Sequence, residues 1–151
     1  MSRVQLALNV SDLDSAVEFY SKLFNTTPAK LRPGYANFAV ADPPLKLVLI
    51  EGEAGGTLNH LGVEVETTGL VQATQERLAR EGLATATEDG VACCYAVQDK
   101  VWVDDPDGAP WEVYTVLADV EMPAGQLRTV ATQGDAMCCA SAPESAARCC
   151  D

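Results

Sequence analysis

An internal repeat constrains the fold of this chain more than any other feature of its sequence. QLALNV at 5–10 returns in altered form as HLGVEV at 60–65, and PLKLVL at 44–49 matches PWEVYT at 110–115. Apolar residues alternate along the first strand of each unit, as they do in strands with one covered face. The order of one strand, one helix and three strands is therefore predicted twice. We expect an α+β fold in which two tandem βαβββ modules form one cupped mixed sheet around a metal site.

The modules are predicted to span about 3–52 and about 58–118. Ser11 or Asp12 can cap the first helix. The apolar residues of that helix fall at helical spacing and form one stripe of Leu13, Val17, Tyr20 and Phe24. The second helix is expected to end before Gly82, which suits a left-handed cap. The remaining elements are predicted as a helix at about 70–80 and strands at about 29–32, 36–40, 45–51, 84–88, 94–103 and 110–116.

The repeat aligns four polar residues. Gln5 matches His60, which is the only histidine in the chain, and Lys46 matches Glu112. An imidazole nitrogen, a carboxylate oxygen and an amide oxygen can bind a metal, whereas a protonated amine cannot. Gln5, His60 and Glu112 resemble the facial triad that holds non-haem Fe(II), with glutamine in place of one histidine. They are predicted to be the catalytic metal ligands, and Lys46 is expected to leave the fourth position empty or to pair with an anion.

Two adjacent cysteines lie in a segment that the first module lacks. Matching strands are 55 residues apart at the start of the modules and 66 apart at their end, so the second module is 11 residues longer. The added length falls between Gly82 and Trp102 and contains Cys93 and Cys94. Neighbouring side chains of a regular strand point to opposite faces, so the two thiols can converge only in a loop or bulge. Buried cysteine acting as a small hydrophobe is the structural alternative.

The thiol pair indicates a soft ligand. The CxxC spacing of structural zinc sites is absent from the chain. Trivalent arsenic with one carbon substituent has two exchangeable positions, and two thiolates match that number. Cys93 and Cys94 are therefore predicted to bind substrate.

Composition limits the partners and the compartment. The net charge is −12 with only ten lysines and arginines, which argues against nucleic acid and against an anionic membrane surface. The chain lacks a signal-like start and an apolar run of about 20 residues, and its cysteines occur in adjacent pairs, so a cytoplasmic location is expected. One domain is predicted over 1–120, followed by a flexible tail at 121–151 with the other four cysteines. Monomer and homodimer both remain open.

The motifs NHLGVEVE, GVACCYAVQDKVWVDDPDG and VDDPDGAPWEVY resemble the vicinal oxygen chelate superfamily over about residues 3–118. That superfamily includes glyoxalase I, extradiol dioxygenases and fosfomycin resistance enzymes. The cysteine pair in its context resembles the carbon–arsenic lyases and their cadmium-induced relatives.

The resemblance implies an activity. It is the Fe(II)- and O2-dependent demethylation of trivalent methylarsenite to arsenite and a one-carbon aldehyde, with related activity on aromatic arsenicals, which would confer organoarsenical resistance. By position, the iron would be held by Gln5, His60 and Glu112. The arsenic would be held by Cys93 and Cys94, and Tyr95 would shape the substrate pocket.

Two other functions fit the same residues. One is a non-catalytic protein of this fold that sequesters cadmium or arsenite through its thiols. The other is a superfamily enzyme of a different class, such as an isomerase or a thiol transferase.

Overall fold

Ten elements follow one another in the order βαβββ, βαβββ in the computed structural model, which describes residues 1–93 and 95–120. The duplicated order predicted from the repeat is confirmed. The tail at 121–151 and residue Cys94 lie outside the described residues. The strands are β1 (Arg3–Val10), β2 (Lys30–Arg32), β3 (Tyr35–Val40), β4 (Leu45–Glu51), β5 (Thr57–Glu64), β6 (Ala86–Cys93), β7 (Ala96–Asp104) and β8 (Pro110–Asp119), and the helices are α1 (Leu13–Phe24) and α2 (Thr68–Arg80).

The strands form one mixed sheet in the order β2-β3-β4-β1-β5-β8-β7-β6. Within each module the first strand pairs in parallel with the last, β1 with β4 and β5 with β8. The modules join where β1 and β5 pair antiparallel, with Gln5 beside Gly62 and Ala7 beside His60. The first strand of each module therefore lies at the centre of the sheet, and the residues predicted to bind metal lie there with it.

Helix α1 covers the convex face of the first module. Its N-terminus is capped by Asp12, whose carboxylate accepts from the Ser15 backbone N–H at 2.7 Å. The predicted apolar stripe packs on Phe38, Leu47 and Leu49 of the sheet, and this confirms the stripe. Helix α2 begins slightly earlier than predicted, at Thr68. Neither helix of the described residues is long and apolar enough to cross a membrane.

The added length of the second module forms a long hairpin, which the sequence did not predict. The strand expected at 84–88 continues to Cys93, and the strand expected from 94 begins at Ala96. Backbone pairing extends the hairpin up to the Cys93–Ala96 pair, with a bulge between Glu88 and Val91. Because Cys93 is the last residue of β6, it lies at the tip of the hairpin.

The hairpin tip reaches back to the opposite end of the sheet, which curls the sheet into a cup. Lys30 of β2 donates to the Tyr95 carbonyl at 3.0 Å and also to the Asp119 carboxylate. The Tyr95 hydroxyl donates to the Pro33 carbonyl at 3.3 Å, and its ring lies 5.2 Å from that of Tyr35. These contacts join the first module to the turn that follows Cys93.

We expect Lys30→Met to loosen that junction. The substitution keeps the apolar stem and removes the donor to Tyr95 and Asp119. Amide hydrogen exchange at the β6–β7 turn should rise several-fold, while the free energy of unfolding falls by only about 1 kcal/mol. Mass spectrometry and urea unfolding would measure the two. Lys22→Met, which removes an exposed pair with Glu18, is the control, and equal exchange in the two variants would contradict the prediction.

Candidate functional site

Three polar side chains from three adjacent strands converge on the concave face of the cup. Gln5 lies on β1, His60 on β5 and Glu112 on β8. The Gln5 amide nitrogen lies 3.1 Å from His60 Nε2 and donates to Glu112 Oε1 at 2.6 Å. His60 Nε2 and Glu112 Oε1 are 3.3 Å apart. The fold therefore brings together the three residues that the repeat singled out.

The orientation of the His60 ring is set by a chain of amides. His60 Nδ1 lies 2.7 Å from Asn59 Oδ1, which can only accept, so Nδ1 carries a proton. The Asn59 amide nitrogen donates to Asn9 Oδ1 at 2.9 Å, which fixes the orientation of the Asn59 amide. In neutral histidine this leaves the Nε2 lone pair directed at Gln5 and Glu112. Metal-binding histidines are held in this way.

Glu112 is a buried carboxylate with a buried counter-ion. Its two oxygens have different partners, because Lys100 Nζ donates to Oε2 at 3.0 Å and Oε1 faces Gln5 and His60. Burial by itself would raise the pKa of Glu112, but the charge of Lys100, together with that of His60 when its ring is protonated, outweighs it and lowers the pKa to about 2. The side chain is therefore ionised at neutral pH and presents one oxygen to the other two residues.

A second carboxylate lies behind Gln5. The Tyr114 hydroxyl donates to Gln5 Oε1 at 2.5 Å and lies 3.2 Å from Glu64 Oε2. Burial would raise the pKa of Glu64, but the hydrogen bond from Arg3 and the charges of Lys46 and Arg3 outweigh it and lower the pKa. Lys46 Nζ is 3.7 Å from Glu64 Oε2 and 4.9 Å from the centre of the Tyr114 ring. Lys46 thus pairs with an anion.

Gly62 provides the space in which these side chains meet. A Cβ at this position would lie 3.1 Å from Glu112 Cγ and 3.3 Å from both Cβ and Nε2 of Gln5. Trp102 forms the neighbouring wall, with its ring edge-on to His60 at 5.4 Å and its indole N–H donated to Glu88 at 3.2 Å. The site is therefore narrow, and bulk added at Gly62 would displace the converging side chains.

The thiol turn lies beside this site. Cys93 is buried at 9% exposure, and its register partner Ala96 alternates along β7 with Gln98 and Lys100. By that alternation Cys93 shares the concave face with Lys100. Tyr95 has a left-handed backbone, with φ 63°, and packs in one cluster with Ala7, the register partner of His60.

Several residues that shape the site were not predicted. They are Asn59, Glu64, Lys100, Trp102 and Tyr114. Two of them could have been found from the DPDG turn at 105–108, because pairing the strands on either side of it predicts their register. In that register Trp102 faces Glu112 and Lys100 faces Tyr114. Paired residues and their second neighbours share a face, so these four side chains project into the same cup.

The residues present fit a divalent metal. Nitrogen and oxygen ligand groups converge within 3.3 Å, the histidine tautomer is set and the carboxylate is ionised. In the part of the chain that the structure describes, no three His, Cys, Asp or Glu side chains form a metal-binding group. The set here has two such residues and an amide. Gln5 is neutral, so the negative charge that these three side chains offer to a cation comes from Glu112.

The chain is similar in sequence to one protein superfamily and to several known proteins. A profile of the glyoxalase/bleomycin resistance protein/dioxygenase superfamily matches residues 3–113. The chain is 61% identical over 142 residues to the cadmium-induced protein CadI of Mycobacterium tuberculosis, covering 92% of this chain and 93% of that protein. It is 59% identical over 141 residues to the trivalent organoarsenical cleaving enzyme of Thermomonospora curvata, covering 92% and 89%.

The fold is also similar to that of a solved dioxygenase. Homoprotocatechuate 2,3-dioxygenase from Brevibacterium fuscum superposes with a TM-score of 0.57 at 21% identity. The match covers 78% of this chain and 33% of that one. At this identity the likeness concerns the fold alone.

Glu112→Gln should destabilise the metal-free protein at neutral pH by about 3 kcal/mol, because it removes the buried carboxylate that lies 3.0 Å from the Lys100 ammonium group. The pKa of Glu112 is lowered from 4.5 to about 2, so its stabilising effect is complete above the higher value and is lost as the pH falls through the lower one. The deficit of the variant should therefore shrink in acid.

Urea unfolding of both proteins at neutral pH and at about pH 3 measures this deficit. Glu76→Gln, on the exposed face of α2, is the control for removal of a carboxylate. A deficit that is the same at both pH values would contradict the assignment of the buried pair.

Proposed function

Because the chain belongs to the glyoxalase/bleomycin resistance protein/dioxygenase superfamily, we propose that it is a lyase that cleaves the carbon–arsenic bond of trivalent organoarsenicals. The convergence of Gln5, His60 and Glu112 beside the thiol turn carries this proposal. The relative from Thermomonospora curvata, named a trivalent organoarsenical cleaving enzyme, supports the choice of substrate.

Gln5, His60 and Glu112 would hold Fe(II) as a facial set. The bound Fe(II) would supply redox chemistry toward O2 at its open positions. Lys100 holds one oxygen of Glu112, which leaves the other for the metal. Asn59 holds the His60 tautomer that has its Nε2 lone pair directed into the site. Lys100 and Asn59 would thus fix the orientations of Glu112 and His60 before the metal arrives.

The cysteine pair would hold the arsenic. Each thiolate replaces one exchangeable substituent, so methylarsenite would bind through two sulfur–arsenic bonds with its methyl group as the third substituent. Tyr95 anchors this turn to Pro33 and Tyr35, and its burial makes it a support of the thiols rather than an open contact surface. The contacts of Tyr95 that cross the cup would keep the bound arsenic close to the metal site.

The proposed reaction balances without an added reductant. Methylarsenite and one O2 give arsenite and formaldehyde, so the methyl carbon loses four electrons and O2 gains them. Arsenic remains trivalent. One oxygen atom of O2 is retained in each product. The carbon–arsenic bond and one C–H bond of the methyl group break, and a carbon–oxygen double bond, an arsenic–oxygen bond and the O–H bond of the new arsenic hydroxyl group form. Such chemistry fits a cytoplasmic resistance enzyme, because the thiols must remain reduced.

Product analysis tests the proposal. Reduced, Fe(II)-loaded protein is given methylarsenite with and without O2, and the arsenic species are separated by chromatography. We expect arsenite and formaldehyde in equal amounts, only with both iron and O2. The Cys93→Ser, Cys94→Ser double variant should lose turnover, while the Cys138→Ser, Cys139→Ser variant of the tail serves as the matched control. Unchanged turnover in the first double variant would refute the role of the thiols.

A thiol-based protein that sequesters cadmium or arsenite is the second candidate. The relatives named cadmium-induced protein favour it. His60→Ala separates the two functions, because a sequestering protein should keep its affinity for Cd(II) and its protective effect, whereas a lyase should keep arsenical binding and lose product. Tight binding of methylarsenite by the wild-type protein without any arsenite formed would favour sequestration.

Gly62→Ala should weaken metal binding several-fold. The new methyl group would press on Glu112 and Gln5, which must each give way by a few tenths of an ångström. We expect a loss of about 1 kcal/mol in the free energy of unfolding, because overpacking at this point is relieved by small shifts. Titration with Co(II) gives the affinity. Gly69→Ala in α2, where a Cβ makes an ordinary contact with Thr67, is the control, and equal affinities in both would disprove the crowding.

A further inference from the structure

The Tyr114 hydroxyl group has one proton to donate, but two acceptor oxygens lie within hydrogen-bond distance of it. Its oxygen lies 2.5 Å from Gln5 Oε1 and 3.2 Å from Glu64 Oε2, and Tyr114 is fully buried. Arg3 donates to the same Glu64 oxygen at 2.9 Å and holds it as a carboxylate. A carboxylate and a carbonyl oxygen both lack a hydrogen atom to donate. In the observed arrangement the phenol proton therefore supplies only one of these two oxygens at a time.

On the other side of Gln5, the amide NH2 group stands between two lone pairs. It donates to Glu112 Oε1 at 2.6 Å and lies 3.1 Å from His60 Nε2, whose proton is on Nδ1. The two N–H groups thus place positive partial charge between these lone pairs, at the point where a bound cation would lie. An amide binds a metal through its oxygen, however, and in this orientation the oxygen of Gln5 faces Tyr114.

Rotation of the Gln5 amide by half a turn satisfies both sides when a metal binds. The amide oxygen then joins His60 Nε2 and Glu112 Oε1 as a third lone pair around the cation. The NH2 group turns to Tyr114 and donates to its hydroxyl oxygen, and the hydroxyl proton passes to Glu64 alone. One N–H of Gln5 and the hydroxyl proton of Tyr114 then have one acceptor each.

We infer that Gln5 works as a two-position ligand and that Tyr114 is the positioning residue that supports its metal-binding orientation. This inference rests on the metal site of the proposed function. Its physical basis is that Tyr114 can exchange the role of donor for that of acceptor without leaving a buried polar atom unpaired. A phenylalanine side chain at position 114 could neither donate nor accept a hydrogen bond.

Nuclear magnetic resonance tests the rotation directly, with Zn(II) as the diamagnetic probe. The Gln5 side-chain NH2 signals are assigned from their loss in Gln5→Glu. In protein treated with chelator we expect their Overhauser contacts with the His60 ring, and after saturation with Zn(II) with the Tyr114 ring. Contacts with His60 that persist in the Zn(II)-saturated protein would overturn the inference.

Metal affinity provides the second test. Tyr114→Phe should bind Co(II) and Zn(II) about 10-fold or more weakly, because the amide nitrogen of the rotated Gln5 loses its acceptor. Its Co(II) absorption bands should also shift as the third ligand loosens. Tyr20→Phe, the same change on α1, is the matched control and should bind as the wild type does. Equal affinity in Tyr114→Phe and the wild type would overturn the inference.

Neither readout uses an arsenical or O2. Wild-type protein that binds Zn(II) with the expected change in contacts but never releases arsenite would refute the lyase function and support this inference. Arsenite release together with unchanged Gln5 contacts would support the lyase function and refute this inference. If Tyr114→Phe fails to fold in a thermal melt, the contacts of the wild-type Gln5 decide the question alone.

Discussion

A charge buried at the centre of the sheet is the constraint on which the rest of this structure depends. Glu112 is 3% exposed, and a carboxylate at such a depth requires a counter-ion and further donors. Lys100 supplies the charge from the neighbouring strand and Gln5 supplies a donor from the other module. Both contacts require that β1, β5, β8 and β7 keep their present order and register. The arrangement that makes the carboxylate tolerable is therefore the same one that aims its second oxygen at His60.

Duplication explains why the two modules place side chains at equivalent positions of the site and why the residue types at these positions differ. Each module places its first strand beside its last, so Gln5 and Lys46 are neighbours in one half as His60 and Glu112 approach each other in the other. The second module carries His60 and Glu112, whereas Lys46 of the first module has turned to Glu64. The added hairpin, also in the second module, brings Tyr95 back to the first module. In the proposed function the second module would supply the histidine, the carboxylate and the cysteines, and the first module would supply Gln5 and anchor the hairpin.

The repeat was sufficient to predict the order of elements and the three converging residues, because equivalent strands place equivalent positions on the same face. It could not show that these positions are buried, since Gln5 or Glu112 on an isolated strand looks like an ordinary polar residue of an open face. Burial follows from the curl of the sheet, which depends on long-range contacts such as Lys30 with Tyr95. Asn59 and Tyr114 were missed for the same reason. Their roles depend on partners 50 to 109 residues away in the sequence.

The proposed ligand set has a consequence for the metal. Gln5 and His60 are neutral ligands, and the charge of Glu112 is partly offset by Lys100, so a divalent cation would retain most of its positive charge at the centre of the cup. Glu64 does not make up the difference, because Arg3 and Lys46 already neutralise it. Because an amide oxygen is a weaker donor than an imidazole nitrogen, a metal held in this way would bind less tightly than one in a two-histidine, one-carboxylate set, but it would attract an additional electron-rich ligand more strongly. In the proposed function, glutamine in place of a histidine would therefore lower the retention of the metal and raise the reactivity of its open positions, which would suit a site that admits O2 next to a substrate held by the cysteines.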